Sequence, residues 1–311
     1  MAYAHRIGAD ENGLGARLGP LVVTAVLAEV SETGERVLAR RLSKRLRADL
    51  GDSKELISHG NVALGEAWAR ALSFDRAGSP AELFAGISSE DHAALRADCP
   101  GHMEEQCWAT GAEAFVADTS EVRRLRGHLD KWEATGVRIV RVRSRIVCTK
   151  RLNRARLSGK NRFISDLHSM EHLLLELREV AGSDVLAVCG KVGGIDDYSK
   201  FFGPLSMRLH AVLQKKRAMS AYHFPGLGEV RFLRDADAKD PLVMLASLVG
   251  KYVRELLMAR VSGFYGRREP EIAPVSGYHD PATARFVHAT RLLRKRHQVP
   301  DTCFERERDA I

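Results

Sequence analysis

Ile7-Gly8-Ala9-Asp10-Glu11-Asn12-Gly13-Leu14-Gly15-Ala16-Arg17-Leu18-Gly19-Pro20 is the stretch on which the reading of this chain turns. Residues 6–10 are predicted to form a short strand. Residues 20–30, a β-branched apolar run behind the Gly19-Pro20 turn, are predicted to form a buried strand that pairs with it. Gly13, Gly15 and Gly19 lie between the two and permit a close backbone approach that other residues forbid, so the loop is a candidate ligand contact. Asp10 and Glu11 end the first strand directly before this loop. Paired carboxylates suit a hard divalent cation, which takes oxygen ligands and keeps waters at its open positions. An Asp-Glu pair by itself is more often a solvated surface feature.

Outward from this stretch, alternating helix and strand signals point to an α/β sheet. Residues 32–48 have helical spacing, with Val37, Leu38, Leu42 and Leu46 on one side, and a polar turn follows at Gly51-Asp52-Ser53-Lys54. Residues 75–136 are polar and look inserted, with helices expected at 89–97 and 120–134, the latter capped by Thr119 or Ser120 and closed by Gly136. Residues 137–148 form a predicted strand whose Arg141, Arg143 and Arg145 share one face, either as a phosphate-facing stripe or as protection of a sheet edge. A helix is expected over 162–181, with Leu167, Met170, Leu174, Leu175 and Leu177 on its buried side, and a central strand over 184–190. The clearest helix is 240–258, with Asp240 as N-cap and Pro241 at its first position. A final helix spans 282–296 and ends in the basic cluster Arg291, Arg294, Lys295, Arg296. The expected division is a core of 1–74 and 137–258, an insertion at 75–136 and a C-terminal helical extension at 259–311.

The 311 residues carry a net charge of +8, which favours a polyanionic partner, because lysines and arginines that neutralise phosphates release counterions. A basic surface that serves solubility alone is the bland alternative. Five scattered cysteines give no disulfide framework, and the spacing of Cys99, His102 and Cys107 is not a standard zinc motif. With no membrane-length apolar run and no signal-like start, the expectation is a cytoplasmic protein without membrane contact or an evident obligate protein partner.

Four ordered segments together resemble ribonuclease HII, the type 2 ribonuclease H family. The opening stretch resembles that family's Asp-Glu followed by Gly-Arg-Gly. Asp52-Ser53-Lys54-Glu55-Leu56 resembles its Asp-Ser-Lys-x-Leu motif. Asp237-Ala-Lys-Asp-Pro241, running on to Ala246-Ser247, Lys251, Arg254 and Glu255, looks like its acid-plus-helix segment, and Gly277-Tyr278 resembles its later Gly-Tyr. The resemblance covers residues 4–58 and 161–304. It implies a ribonuclease H-like mixed sheet flanked by helices, and a Mg2+- or Mn2+-dependent site in which Asp10 bridges and Glu11 and Asp237 complete the metal shell. It further implies substrate contacts from Gly13, Leu14, Gly15, Ser53, Lys54, Lys251 and Tyr278, with an RNA–DNA hybrid, or a duplex containing a ribonucleotide, as the partner. Lys251 could equally be a solvated helix residue.

Two positions depart from the pattern. Cys189 stands in Val188-Cys189-Gly190, where the family has a strand ending in Asp-Gly, and a thiol is a poor ligand for Mg2+. Asp196 or Asp197, after Gly193-Gly194, could substitute; Asp184 is too far back, since five strand residues span roughly 16 Å. Leu14 replaces the arginine of Gly-Arg-Gly, although backbone groups still remain to meet a ribose 2′-hydroxyl. Three functions are therefore open: a nuclease acting on hybrids or embedded ribonucleotides, a nucleic-acid-binding module whose chemistry is impaired, and a nuclease of the same fold with a DNA substrate.

Overall fold

The computed structural model describes residues 3–73, 77–110, 113–192 and 194–307. Its opening stretch is strand β1 (His5–Asn12), paired antiparallel with β2 (Leu21–Val30) so that Asp10 lies opposite Thr24 and Glu11 opposite Val23. Between β2 and β3 come the helices α1 (Glu32–Leu38), α2 (Lys44–Arg47), α3 (Ser53–Leu56), α4 (Ala63–Leu72), α5 (Pro80–Ile87), α6 (His92–Arg96) and α7 (Thr119–Glu133). Strand β3 (Val137–Val147) pairs antiparallel with β2. Helices α8 (Thr149–Leu157) and α9 (Arg162–Ala181) lead to β4 (Val185–Gly190), which runs parallel to β1. An antiparallel meander of β5 (Ala211–Lys215), β6 (Met219–Phe224) and β7 (Gly228–Leu233) follows, with β7 parallel to β4. The chain ends with α10 (Pro241–Gly266), α11 (Pro281–Ala289), α12 (Arg291–Arg296) and α13 (Asp301–Phe304).

The result is a mixed seven-stranded sheet in the order β3-β2-β1-β4-β7-β6-β5, flanked by helices and not closed into a barrel. This is the fold class expected from the sequence. The meander was not singled out there: its strands have five or six residues and the apolar Val212 and Leu213 of β5 are exposed, although β7 alternates, with Val230 and Phe232 buried between Glu229 and Arg231.

Both faces of β2 are buried, which is why it reads as a continuous apolar run rather than an alternating one. Leu21, Val23, Ala25 and Leu27 join Leu167, Met170, Leu173, Leu174 and Leu177 of α9 on one face of the sheet. Val22, Val26, Ala28 and Val30 join Leu242, Leu245, Leu248 and Val249 of α10 on the other. Each fully buried leucine contributes roughly 1.5–3 kcal/mol. Helix α10 crosses β1 so closely that a Cβ added at Gly8 would stand 2.5 Å from Leu242 Cβ and from Val243 N. Its N-terminus is held as the sequence suggests: Asp240 accepts from the amides of Leu242 and Val243, and Arg6 of β1 binds Asp240 at 2.6 Å.

Several expected boundaries move. The helix read over 32–48 breaks into α1 and α2, because Ser43 takes an extended conformation and caps a new turn through Leu46 N. Asp118 rather than Thr119 or Ser120 caps α7. Helix α10 continues eight residues past 258, and the final helix divides at Thr290. Strand β3 is a sheet edge, and Arg141, Arg143 and Arg145 on it are half-buried: Arg143 Nε binds Glu176 of α9 at 3.0 Å. That geometry favours edge protection over a phosphate stripe. Cys107, Cys148 and Cys303 line a cavity of about 20 Å3 beside Trp108, whose Nε1 donates to Cys99 Sγ at 3.3 Å, while His102 is exposed. Among the described residues no helix is long and apolar enough to cross a membrane.

Candidate metal and nucleic-acid site

The C-terminal end of β1, the loop after it, α3, the turn before α10 and the segment before α11 enclose a cleft of about 230 Å3. Asp10, Glu11, Gly13, Leu14, Gly15, Ser53, Lys54, Asp237, Lys251 and Tyr278 all line it, so every catalytic and substrate-contacting position read from the sequence meets there. Asn12 and Ser247 complete the lining.

Side chains alternate across a strand, so β1 sends its two acids to opposite faces. Ile7 and Ala9 pack in the α9 layer, which puts Glu11 on that face and Asp10 on the α10 face. Asp10 is 7 % exposed. Burial first, then the charge of Glu11, holds its carboxyl well above the usual range, against a hydrogen bond from Ser247. Asp237 stands on the short turn Ala236–Ala238, and Lys54 Nζ lies 3.5 Å from its Oδ2. Burial opposes the Lys54 charge, but Asp237, Asp52 and Asp10 outweigh it and raise the pKa. The Ser53 and Ser247 hydroxyls are 2.9 Å apart, and Lys251 Nζ donates to the Ser53 carbonyl at 3.1 Å. Burial pushes the Lys251 pKa down. These contacts tie α3 to α10 beneath the cleft.

The glycine loop is held from behind by three arginines, of which the sequence marked only Arg254, as part of the acid-plus-helix segment. Gly13 has φ +85°, and a Cβ there would fall 2.4 Å from Arg254 Nε. Arg306 donates to the carbonyls of Gly13, Leu14 and Gly19 at 2.6, 3.2 and 2.9 Å. Arg162 donates to Ala16 at 3.1 Å and to Leu14 at 3.4 Å. The amides of Arg17 and Leu18 reach the Gly277 carbonyl at 2.8 and 2.9 Å, which brings Tyr278 to the cleft with its ring 4.4 Å from the Arg254 guanidinium. Buried arginines on backbone carbonyls leave no periodic signal in a sequence.

The α9 face is different. Glu11 is pushed up to about 8, by burial first and then by Asp166. Cys189 pairs in register with Ala9 and is fully buried on this same face; burial and then Asp166 push its thiol up, so it stays protonated and no carboxylate replaces it. Gly190, the next residue of β4, is the one directed at Asp10: a Cβ there would lie 2.7 Å from Asp10 Oδ1. Neither proposed substitute turns inward. Asp196 binds Lys191 at 3.1 Å, and Asp197 binds Lys215 at 2.8 Å, whose hydrogen bond holds its carboxyl down at about 2. Gly193, half of the expected hinge, lies outside the described residues, and Asp184 sits at the far end of β4 beside Arg178.

Asp166 of α9 is the acid that the sequence reading missed. It is fully buried, and neither carboxylate oxygen has a hydrogen-bond partner. Burial and then Asp10 raise its pKa well above the usual range. The signal was present: position 166 falls in the helical stripe of Met170, Leu173 and Leu177, where an acid has no reason to be.

Among the described residues no group of three His, Cys, Asp or Glu side chains is already drawn together as a metal cage. Mg2+ does not require one, since it keeps several waters and takes one or two carboxylates together with substrate phosphates. Buried acids with Lys54 as their nearby cation fit a divalent ion.

No family model matches the sequence, and no curated protein matches it. Its structural neighbours are ribonucleases HII and HIII. The ribonuclease HII of a complex with PCNA from Archaeoglobus fulgidus is 18% identical, with a TM-score of 0.43, over 98% of this chain and 95% of that one. Bst-RNase HIII in complex with Mn2+ is 14% identical, with a TM-score of 0.47, over 97% of this chain and 65% of that one. Ribonuclease H2 from Pyrococcus horikoshii OT3 is 15% identical, with a TM-score of 0.42, over 96% and 92%. Likeness at these identities concerns the fold.

Proposed function

We propose that this chain is a metal-dependent endonuclease of ribonuclease HII type, hydrolysing the RNA strand of RNA–DNA hybrids or cutting at ribonucleotides embedded in DNA. The observation that carries the reading is the meeting of Asp10, Glu11 and Asp237 with the glycine loop, two lysines and Tyr278 in one cleft, from four separated parts of the sequence. Asp10, Glu11 and Asp237 would hold Mg2+ or Mn2+. Bound there, the metal supplies an activated water and stabilises the leaving 3′-oxygen.

The chain's own groups divide the remaining work. Lys54, mostly exposed beside Asp237, presents its charge to an incoming phosphate. Lys251 braces Ser53 under the cleft floor. Tyr278, stacked on Arg254 and 41 % exposed, offers its ring to a sugar. The Gly13–Gly15 backbone, with carbonyls pinned by Arg306, is a rigid surface against which a 2′-hydroxyl can be read without the side chain that Leu14 lacks. The charge of +8 supplies the sequence-independent attraction.

End-labelled hybrid, chimeric and all-DNA duplexes, incubated side by side with Mg2+ or Mn2+, test this. Cleavage confined to substrates containing ribonucleotides, and lost in Asp10→Asn, is the expected result. Cleavage of all-DNA duplex would point to an altered substrate, and no cleavage with either metal, with binding kept in Asp10→Asn, to a binding module.

A further inference from the structure

We infer, on the basis of the metal-dependent reading above, that Asp166 supplies the fourth carboxylate of the site from helix α9, binding the cation on the Glu11 side in place of the strand acid absent at Cys189. The inference starts from an energetic anomaly. A carboxyl group taken out of water is hydrogen-bonded, paired or bound to a metal, because desolvation without compensation costs more than a fold can spare. Asp166 has no solvent exposure and no hydrogen bond to either oxygen. The titratable groups that share its electrostatic surroundings are two acids, a thiol and a phenol, Asp10, Glu11, Cys189 and Tyr198, with no cation among them. A buried acid of purely structural use would turn an oxygen toward a backbone amide, as Glu171 one turn further along α9 does with Gly203 and Leu205.

Strand parity places the partners. Cys189 and Glu11 share the face of the sheet that α9 covers, and Cys189 sits level with Ala9 in the parallel β1–β4 ladder. An acid at Cys189 would have lain in the region Asp166 occupies from the facing helix. Among the described residues none of the nearby candidates makes good the loss: Gly190 has no side chain to offer Asp10, and Asp196 and Asp197 are engaged with lysines. Carboxylate has been removed from the strand and supplied from the helix. Asp10 and Asp237 toward α10, and Glu11 with Asp166 toward α9, would then be the carboxylates that hold the divalent cation.

Titration of the full-length, metal-stripped protein with Mn2+ by calorimetry tests this, with metal-free melting temperature as the check on folding. Asp166→Asn is expected to keep the melting temperature within a few degrees and to weaken Mn2+ binding about tenfold or more. Adding Cys189→Asp to Asp166→Asn, which returns an acid to the strand, is expected to restore most of that affinity. Unchanged Mn2+ affinity in Asp166→Asn, while Asp10→Asn loses binding, overturns the role of Asp166 and leaves the nuclease reading standing. Absence of Mn2+ binding by the unsubstituted chain overturns both. Should the variants fail to fold, crystals of the unsubstituted chain soaked in Mn2+ decide: an ion within about 2.2 Å of an Asp166 oxygen is expected, and ions bound elsewhere in the cleft but not to Asp166 overturn the assignment.

Discussion

Two adjacent acids leave β1 on opposite faces of the sheet, and the two faces receive them differently. On the α10 face Asp10 meets a hydrogen bond from Ser247 and, close by, Asp237 with Lys54 at 3.5 Å. On the α9 face Glu11, which also lines the cleft, feels the charge of the buried Asp166, and the buried Cys189 thiol sits in the layer of leucines and aromatics behind it. Both acids line the cleft; the first is joined there by Ser247 and the Lys54–Asp237 pair, while behind the second lies the buried Asp166 with no hydrogen bond to either oxygen. A cation is useful to both, but only the second leaves carboxylate oxygens with no other partner, so the α9 face depends on the ion more.

The largest effect is expected from Asp10→Asn, since Asp10 is the acid whose charge couples to both Asp237 and Asp166: hydrolysis of a labelled hybrid should fall roughly 10^3-fold or more, the scale of several kcal/mol of lost charge stabilisation. A variant cleaving at wild-type rate would break the account. Next comes Arg306→Ala, which strips a buried charged donor from the carbonyls of Gly13, Leu14 and Gly19. Urea unfolding should show a loss of about 1–3 kcal/mol, and KM should rise more than kcat falls.

The contrast between faces also has a pH signature. Glu11 and Glu171 hold protons more tightly in the folded chain, with pKa values raised from 4.5 to about 8 and about 7. Ionising them therefore costs folded-state stability. The metal-free melting temperature should fall as pH rises from about 4.5 through 7 and on to 8. Asp10 and Asp166, also raised by burial, add to that fall; saturating Mn2+ should remove the part due to Asp10, Glu11 and Asp166, and Glu171→Gln the part due to Glu171. A flat or rising metal-free profile over this window would contradict the burial of uncompensated acid on the α9 face. The smallest effect is expected from Arg143→Ala on the edge strand: under about 1 kcal/mol in stability and no change in hybrid affinity, measured by fluorescence anisotropy.

Legibility in the sequence followed the same division. The β1–loop–β2 stretch, the Asp52-Ser53-Lys54 turn and the capped helix at Asp240 could be read because strand alternation, turn chemistry and capping are local. Their convergence followed from the family resemblance. Strand β5 could not be read, since its apolar Val212 and Leu213 are exposed, whereas the alternation of Val230 and Phe232 with Glu229 and Arg231 in β7 was legible and was missed. Arg162 and Arg306 behind the glycine loop were hidden because each acts across more than 140 residues of chain on backbone atoms. Asp166 was legible in principle, as an acid inside an apolar stripe, but its meaning depends on knowing that Glu11 and Cys189 face it.

Anomalous diffraction from a crystal soaked in Mn2+ tests the central claim most directly. The account predicts manganese at Asp10, shared with Asp237 on the α10 side and with Glu11 on the α9 side. A cleft without manganese at Asp10, in crystals that diffract well and hold the ion elsewhere, would contradict it.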